Sequence, residues 1–132
     1  MSDLMWYLTR STGIVAAVLA ILALAGGFLF SARETGRRQQ PNWWLDLHNW
    51  LGGATLIFTV VHVVTAYADR DTGLAVVNLF VPGTASLDRL AVSWGVIAVY
   101  LFATSVLTSW PRRRGSRRTW RILHLGSVAG VV

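Results

Sequence analysis

Three histidines, His48, His62 and His124, are the residues of this chain best suited to chemistry, and each lies inside an apolar run. A neutral imidazole offers one donor and one lone pair, so it can ligate a metal, relay a proton or bond a neighbour. Cysteine is absent, which removes disulfides, thiolate metal sites, iron–sulfur clusters and thiol nucleophiles together. The sequence holds no Ser-His-Asp set, no phosphate-binding loop and no dinucleotide fingerprint. The chemistry rests on imidazole and on whatever imidazole can hold.

His48 and His62 are 14 residues apart. At about 100° per residue that is about 40° short of four full turns, so both rings share one helix face, about 21 Å apart along the axis. Gly52, Thr55 and Thr59 lie between them on that face, Ala66 follows, and Leu51 sits at its edge. The bulkier Leu56, Ile57, Val60 and Val61 point elsewhere. Such a face leaves room for a flat macrocycle. A small-residue seam for close helix packing would account for the Gly and Thr, but not for the paired histidines.

The elements that carry these rings are marked out by charge. Of 132 residues, 54% are hydrophobic and 14% charged, with a mean hydropathy of +0.50, whereas a soluble domain is about 25% charged. This composition excludes a soluble globule and a disordered chain, and the length allows one domain, spanning 1–132. Three runs, 11–32, 47–68 and 90–111, hold 22 residues each without Asp, Glu, Lys or Arg. Each gives about 33 Å of helix against a hydrocarbon core of about 30 Å. A fourth run, 122–132, is still apolar where the sequence stops, pointing to a truncated chain or an unusually short last helix. The expected fold is an all-α integral membrane protein, a multi-span bundle of four transmembrane helices with the fourth cut short.

A secretory signal is the competing reading of the N-terminus, since Ala23-Leu24-Ala25 resembles a cleavage site. Only Arg10, offset by Asp3, precedes the run, and the run is too long for a signal. Between Thr72 and Leu87 a milder apolar stretch is broken by Gly73, Pro82 and Gly83. It is too short to span and reads as an interfacial turn of helix on the outer surface.

The net charge of +6 and pI near 11.3 read as topology. Arg33, Arg37 and Arg38 follow the first run, and the segment 111–121 carries six Arg and no acid. The other loop mixes Asp69, Arg70, Asp71, Asp88 and Arg89, and the N-terminus has Asp3 and Arg10. Basic residues on alternate loops place those loops in the cytoplasm and the N-terminus outside, in a multi-pass protein of the cell (inner) membrane. Trp43, Trp44, Trp110 and Trp120 stand on the arginine side as interfacial anchors. Asp46 reads as a first-turn helix acid. No arginine stripe lies on a soluble scaffold, so nucleic acid is excluded as a partner.

His124 lies three residues past Arg121, and His48 two past Asp46. One span separates their helices, so the two run in the same direction and these histidines can meet at equal depth. Two facing imidazoles with no thiolate or carboxylate nearby suit a six-coordinate haem iron, an electron carrier. Zinc fits less well, because it wants four ligands.

The stretch LHNWLGGATLIFTVVHVVTAYAD, then VPG, then VLTSWPRRRGSRRTWRILHLGS, resembles the ferric reductase-like transmembrane domain family. That family includes bacterial haem-binding proteins and the membrane cores of ferric reductases and NADPH oxidases. The opening WYLTRSTG is similar to its bacterial members, and the most specific part is H-x13-H followed one helix later by WR-x-x-H. The resemblance implies b-type haem between two parallel helices and transmembrane electron transfer. It implies that His48 and His62 are the ligands of the first haem helix and His124 the first ligand of the second. The family's fourth histidine would fall past Val132, which leaves one complete haem pair, with His62 lacking a partner. Arg118 and Arg121 could hold haem propionates or serve only as topology signals, and Arg10 could do the same on the outer side.

The expected function is electron transfer through haem b from a cytoplasmic flavoprotein reductase or quinol to an outer acceptor such as ferric iron, oxygen or a partner oxidoreductase. The chain would act as the membrane subunit of an oxidoreductase, its arginine loop docking an acidic donor. A haem-free structural or accessory membrane subunit, whose histidines only pack, is the alternative. A histidine proton relay would call for acids or broken helices in the spans.

Overall fold

The computed structural model describes residues 2–34, 42–86, 88–109, 119, 121, 122 and 124–126. Its elements in chain order are helix α1 (Ser2–Glu34), helix α2 (Asn42–Ala68), a single 3-10 turn (Arg70–Thr72), the short helix α3 (Val76–Phe80) and helix α4 (Arg89–Ser109). The described positions of 119–126 are helical as well. No strand occurs among the described residues.

Lipid offers no partner for a backbone N–H or C=O, so an apolar run of this length must close its own hydrogen bonds as a helix. Among the described residues, three helices are long and apolar enough to cross a membrane: 3–30, 43–68 and 89–109. The run 122–132 extends beyond the described residues. α1 starts nine residues before its charge-free run and carries Asp3 and Arg10, because long polar side chains can ride a helix out into the interface. α2 also starts early, at Asn42. That corrects the reading of Asp46 as a first-turn acid: Trp43 and Trp44 are already helical, so Asp46 stands in the second turn and is exposed.

Hydroxyls within the helices bond back to the carbonyl four residues earlier, as Thr55 does to Leu51 (2.8 Å), Thr59 to Thr55 (2.8 Å) and Thr104 to Tyr100 (2.7 Å). This satisfies them in an apolar medium. α2 ends where Thr72 Oγ1 reaches the carbonyls of Ala66 (2.9 Å) and Asp69 (2.7 Å). Gly73, at φ +59°, turns the chain there in the left-handed region. Asn78, buried on α3, accepts from Ala75 N–H at 2.6 Å and donates to Thr84 at 3.0 Å. Tyr100 donates to the Phe80 carbonyl at 2.7 Å, and Gly83 N–H to Ser93 at 2.8 Å, so the α3 segment is tied to α4.

The packing is that of a membrane protein. Large apolar side chains such as Ile14, Ile57, Val60, Leu90 and Leu107 are exposed, and apart from Val96 the buried positions described on the three long helices are small: Thr12, Ala16, Ala23, Thr55 and Ser105. Lipid is as apolar as leucine, so helices join through small residues that let backbones approach. On α1, Gly13, Ala16, Ala20, Ala23 and Gly27 recur at alternating steps of three and four, the period of a left-handed helix pair. α1 packs antiparallel along α2, whereas α4 meets α2 over a much shorter stretch.

Candidate functional site

His62 and His48 are half-buried near opposite ends of α2, and both reach across to α1. His62 Nδ1 lies 2.7 Å from the Thr9 carbonyl, and His48 Nδ1 lies 2.9 Å from the Ala23 carbonyl. A carbonyl oxygen only accepts, so in both rings Nδ1 carries the proton and donates it. Nε2 then holds the lone pair, and in neither ring does it hydrogen-bond to another described residue. This is the tautomer and orientation of a metal-binding imidazole, whose second nitrogen is normally fixed by a carbonyl or carboxylate.

Beside each of these bonds stands a glycine. A Cβ placed on Gly13 would sit 2.9 Å from His62 Cε1 and Nδ1, and one placed on Gly27 would sit 3.2 Å from His48 Cε1. Trp44 is half-buried beside them and donates from Nε1 to the Gly26 carbonyl at 3.3 Å, so it packs on α1. Trp110 and Trp120 lie outside the described residues.

His124 is held differently. Its Nδ1 lies 2.9 Å from Ser105 Oγ and 3.3 Å from Ser109 Oγ, both on α4. Ser109 donates to the Ser105 carbonyl at 2.7 Å, and Ser105 Oγ reaches the His124 carbonyl at 3.4 Å. A hydroxyl both donates and accepts, so these contacts fix the position of the His124 ring but not which of its nitrogens carries the proton.

The His48 and His124 rings meet edge-on, with centroids 5.8 Å apart and planes at 65°. Two imidazoles on opposite sides of one metal, each bonded at about 2.0–2.1 Å, have ring centres roughly 6 Å apart. No group of three or more His, Cys, Asp or Glu residues gathers among the described residues, whereas a closed zinc site takes four ligands. Next to His48, Gly52 and Gly53 have nothing within 4 Å of where a side chain would begin. Glycine is a poor helix former, and here it leaves the surface of α2 open beside the His48 ring. Thr55, expected on the same open face, is 3% exposed and belongs to the packed seam instead.

The remaining sequence candidates are dispersed. Arg121 is exposed, and Arg118 lies outside the described residues. Arg10 stacks on the Trp6 ring at 4.2 Å. Thr9 Oγ1 is buried with no hydrogen-bond partner among the described residues. A hollow of about 280 Å³ lined by Asp3, Trp6, Tyr7 and Asp71 includes none of the histidines. Sequence reasoning missed Gly13, Gly27, Ser105 and Ser109. For the glycines a signal existed: they are 14 residues apart, the same spacing as His48 and His62.

Over residues 7–132 the chain matches the family described as ferric reductase like transmembrane component. No curated protein and no solved structure matches it.

Proposed function

The chain belongs to the ferric reductase-like transmembrane family, and from that premise we propose that it carries electrons across a membrane through haem b ligated by His48 and His124. The observation that supports this reading is the approach of those two rings, with centroids 5.8 Å apart, and Nδ1 of each hydrogen-bonded to a neighbouring helix, so that Nε2 would be the ligating atom. The space beside Gly52 and Gly53 would receive the ring, and Arg118 and Arg121 would meet its propionates. Bound haem would supply a one-electron iron couple, with His48 and His124 as the residues that would hold the iron.

The chain's own residues do the rest. α1 and α4 orient the imidazoles, small side chains admit the macrocycle, and the apolar spans exclude water. The run 122–132 continues as the fourth span, and the arginine loops face the cytoplasm with the N-terminus outside. A flavoprotein reductase or a quinol on the cytoplasmic side delivers electrons, and the acceptor lies on the outer side, beyond the level of His62. His62 belongs to an outer haem level where the described residues supply no second imidazole. A ring held there by one ligand would bind weakly or not at all.

A haem-free accessory subunit is the second reading, favoured by the His62–Thr9 bond, which joins two helices without a partner imidazole. The visible spectrum of the purified protein, expressed with haem supply, separates the two. A low-spin b-type spectrum that disappears in His124→Ala supports ligation, and a colourless protein or an unchanged His124→Ala spectrum overturns it. For orientation, a cysteine introduced at Gly115 is unique in the chain. It should resist an impermeant maleimide added to intact cells, and labelling there would reverse the topology.

A further inference from the structure

Each helix carbonyl on α1 already accepts the N–H four residues later, so the Thr9 and Ala23 carbonyls accept from Gly13 and Gly27. A second donor must approach from the side. Helix Cβ atoms tilt toward the N-terminus, so the side chain of residue i+4 leans back over the carbonyl of residue i. At positions 13 and 27 that side chain is missing, and the imidazole edge occupies its place.

We infer that Gly13 and Gly27 are positioning residues: each opens the notch through which His62 or His48 bonds an α1 carbonyl, and so holds that ring as the Nδ1–H tautomer with Nε2 free to ligate. Two features separate this from ordinary small-residue packing. Gly26, Gly52 and Gly53 have nothing within 4 Å of a built Cβ among the described residues, whereas the three nearest atoms to one built at Gly13 or at Gly27 all belong to an imidazole. The arrangement also occurs twice, with the same step of 14 residues on both helices. Packing alone would not require glycine to lie opposite histidine at both ends.

The two notches differ in tightness. A methyl at position 13 would meet His62 at 2.9 Å, closer than real Cβ contacts come, so the ring must move off the Thr9 carbonyl. At position 27 the closest approach is 3.2 Å, and a displacement of a few tenths of an ångström would admit the methyl. A lengthened Nδ1–H···O=C hydrogen bond makes the imidazole a weaker base at Nε2 and a weaker ligand, which would raise the reduction potential of iron bound there.

The test uses the full chain without haem, with its histidines labelled with nitrogen-15, in lipid nanodiscs. The ring nitrogen resonances should place the proton on Nδ1 of His48 and His62 in the unmutated protein. Gly13→Ala should shift the His62 resonances toward a tautomer mixture, and Gly27→Ala should shift those of His48 by less. Gly26→Ala should change neither ring. A proton on Nε2 in the unmutated protein, or unshifted rings in both notch variants, overturns the inference, and the first of these needs no variant to fold. A second arm rests on the reading that His48 ligates haem: Gly27→Ala should bind haem at a more positive midpoint potential, and an unchanged potential counts against the notch. A protein that binds no haem sinks that reading and leaves the nitrogen measurement standing as the test of the notch.

Discussion

His48 and His124 meet edge-on, yet the two sides of the pair are built on different principles. His48 is held by a backbone carbonyl of α1 through a notch at Gly27. The helix itself places that acceptor, it can never donate, and no side-chain substitution at Ala23 removes it. His124 is held by the hydroxyls of Ser105 and Ser109 on α4. A hydroxyl both donates and accepts, turns about its own bond, and disappears with a single mutation. The helix contacts differ in the same sense, since α1 lies along α2 while α4 meets it only briefly. One ring is set by the frame of the bundle, and the other by side chains that can turn. Such a division suits a site that must admit a large planar group between two helices and then close on it.

The sharpest way to break this comparison is to remove rings on α2. His48→Ala should abolish the low-spin haem signal, while His62→Ala should leave it at full amplitude, read as haem per chain and as the reduced-minus-oxidised spectrum. The reverse pattern would move the complete site to the outer level and dissolve the pairing of His48 with His124. His62→Ala should still weaken the α1–α2 hairpin, because an interhelical hydrogen bond in lipid contributes about 0.6–2 kcal/mol.

Smaller effects sharpen the contrast between the two holds. Losing a hydrogen-bond partner behind a metal ligand costs about 10–100-fold in affinity. Ser105→Ala should sit near the low end, about tenfold in haem dissociation, because the Ser109 hydroxyl remains 3.3 Å from the same nitrogen. Ser109→Ala should change it by roughly threefold or less, as that contact is already long for an N–H···O bond. Equal effects from the two serines would mean that His124 is held symmetrically and that the 2.9 Å contact has no priority.

Much of this protein was legible from residue order alone. Runs without charge became long helices because lipid leaves an apolar backbone no other way to satisfy its hydrogen bonds. His48 and His62 share a face because helical periodicity depends on nothing outside the helix. The sequence also carried the clue to helix register, in the equal steps of 14 from Gly13 to Gly27 and from His48 to His62. That equality has meaning only once the two helices are known to run antiparallel in contact.

What periodicity could not supply is everything that lies between helices. The face of Gly52, Thr55 and Thr59 looked uniform along the sequence, yet Gly52 opens on empty space while Thr55 is buried in the seam. The start of α2 at Asn42, which moved Asp46 out of the first turn, depended on the tryptophans packing as helix. The carbonyls that hold the histidines are backbone atoms common to every residue, so no side-chain pattern marks Thr9 or Ala23 as acceptors. Residue order determined which residues face which way about their own helix axis. The tertiary structure decided which carbonyl, hydroxyl or ring each one meets, because the offset between helices comes from the fit of two surfaces and is written in neither one alone.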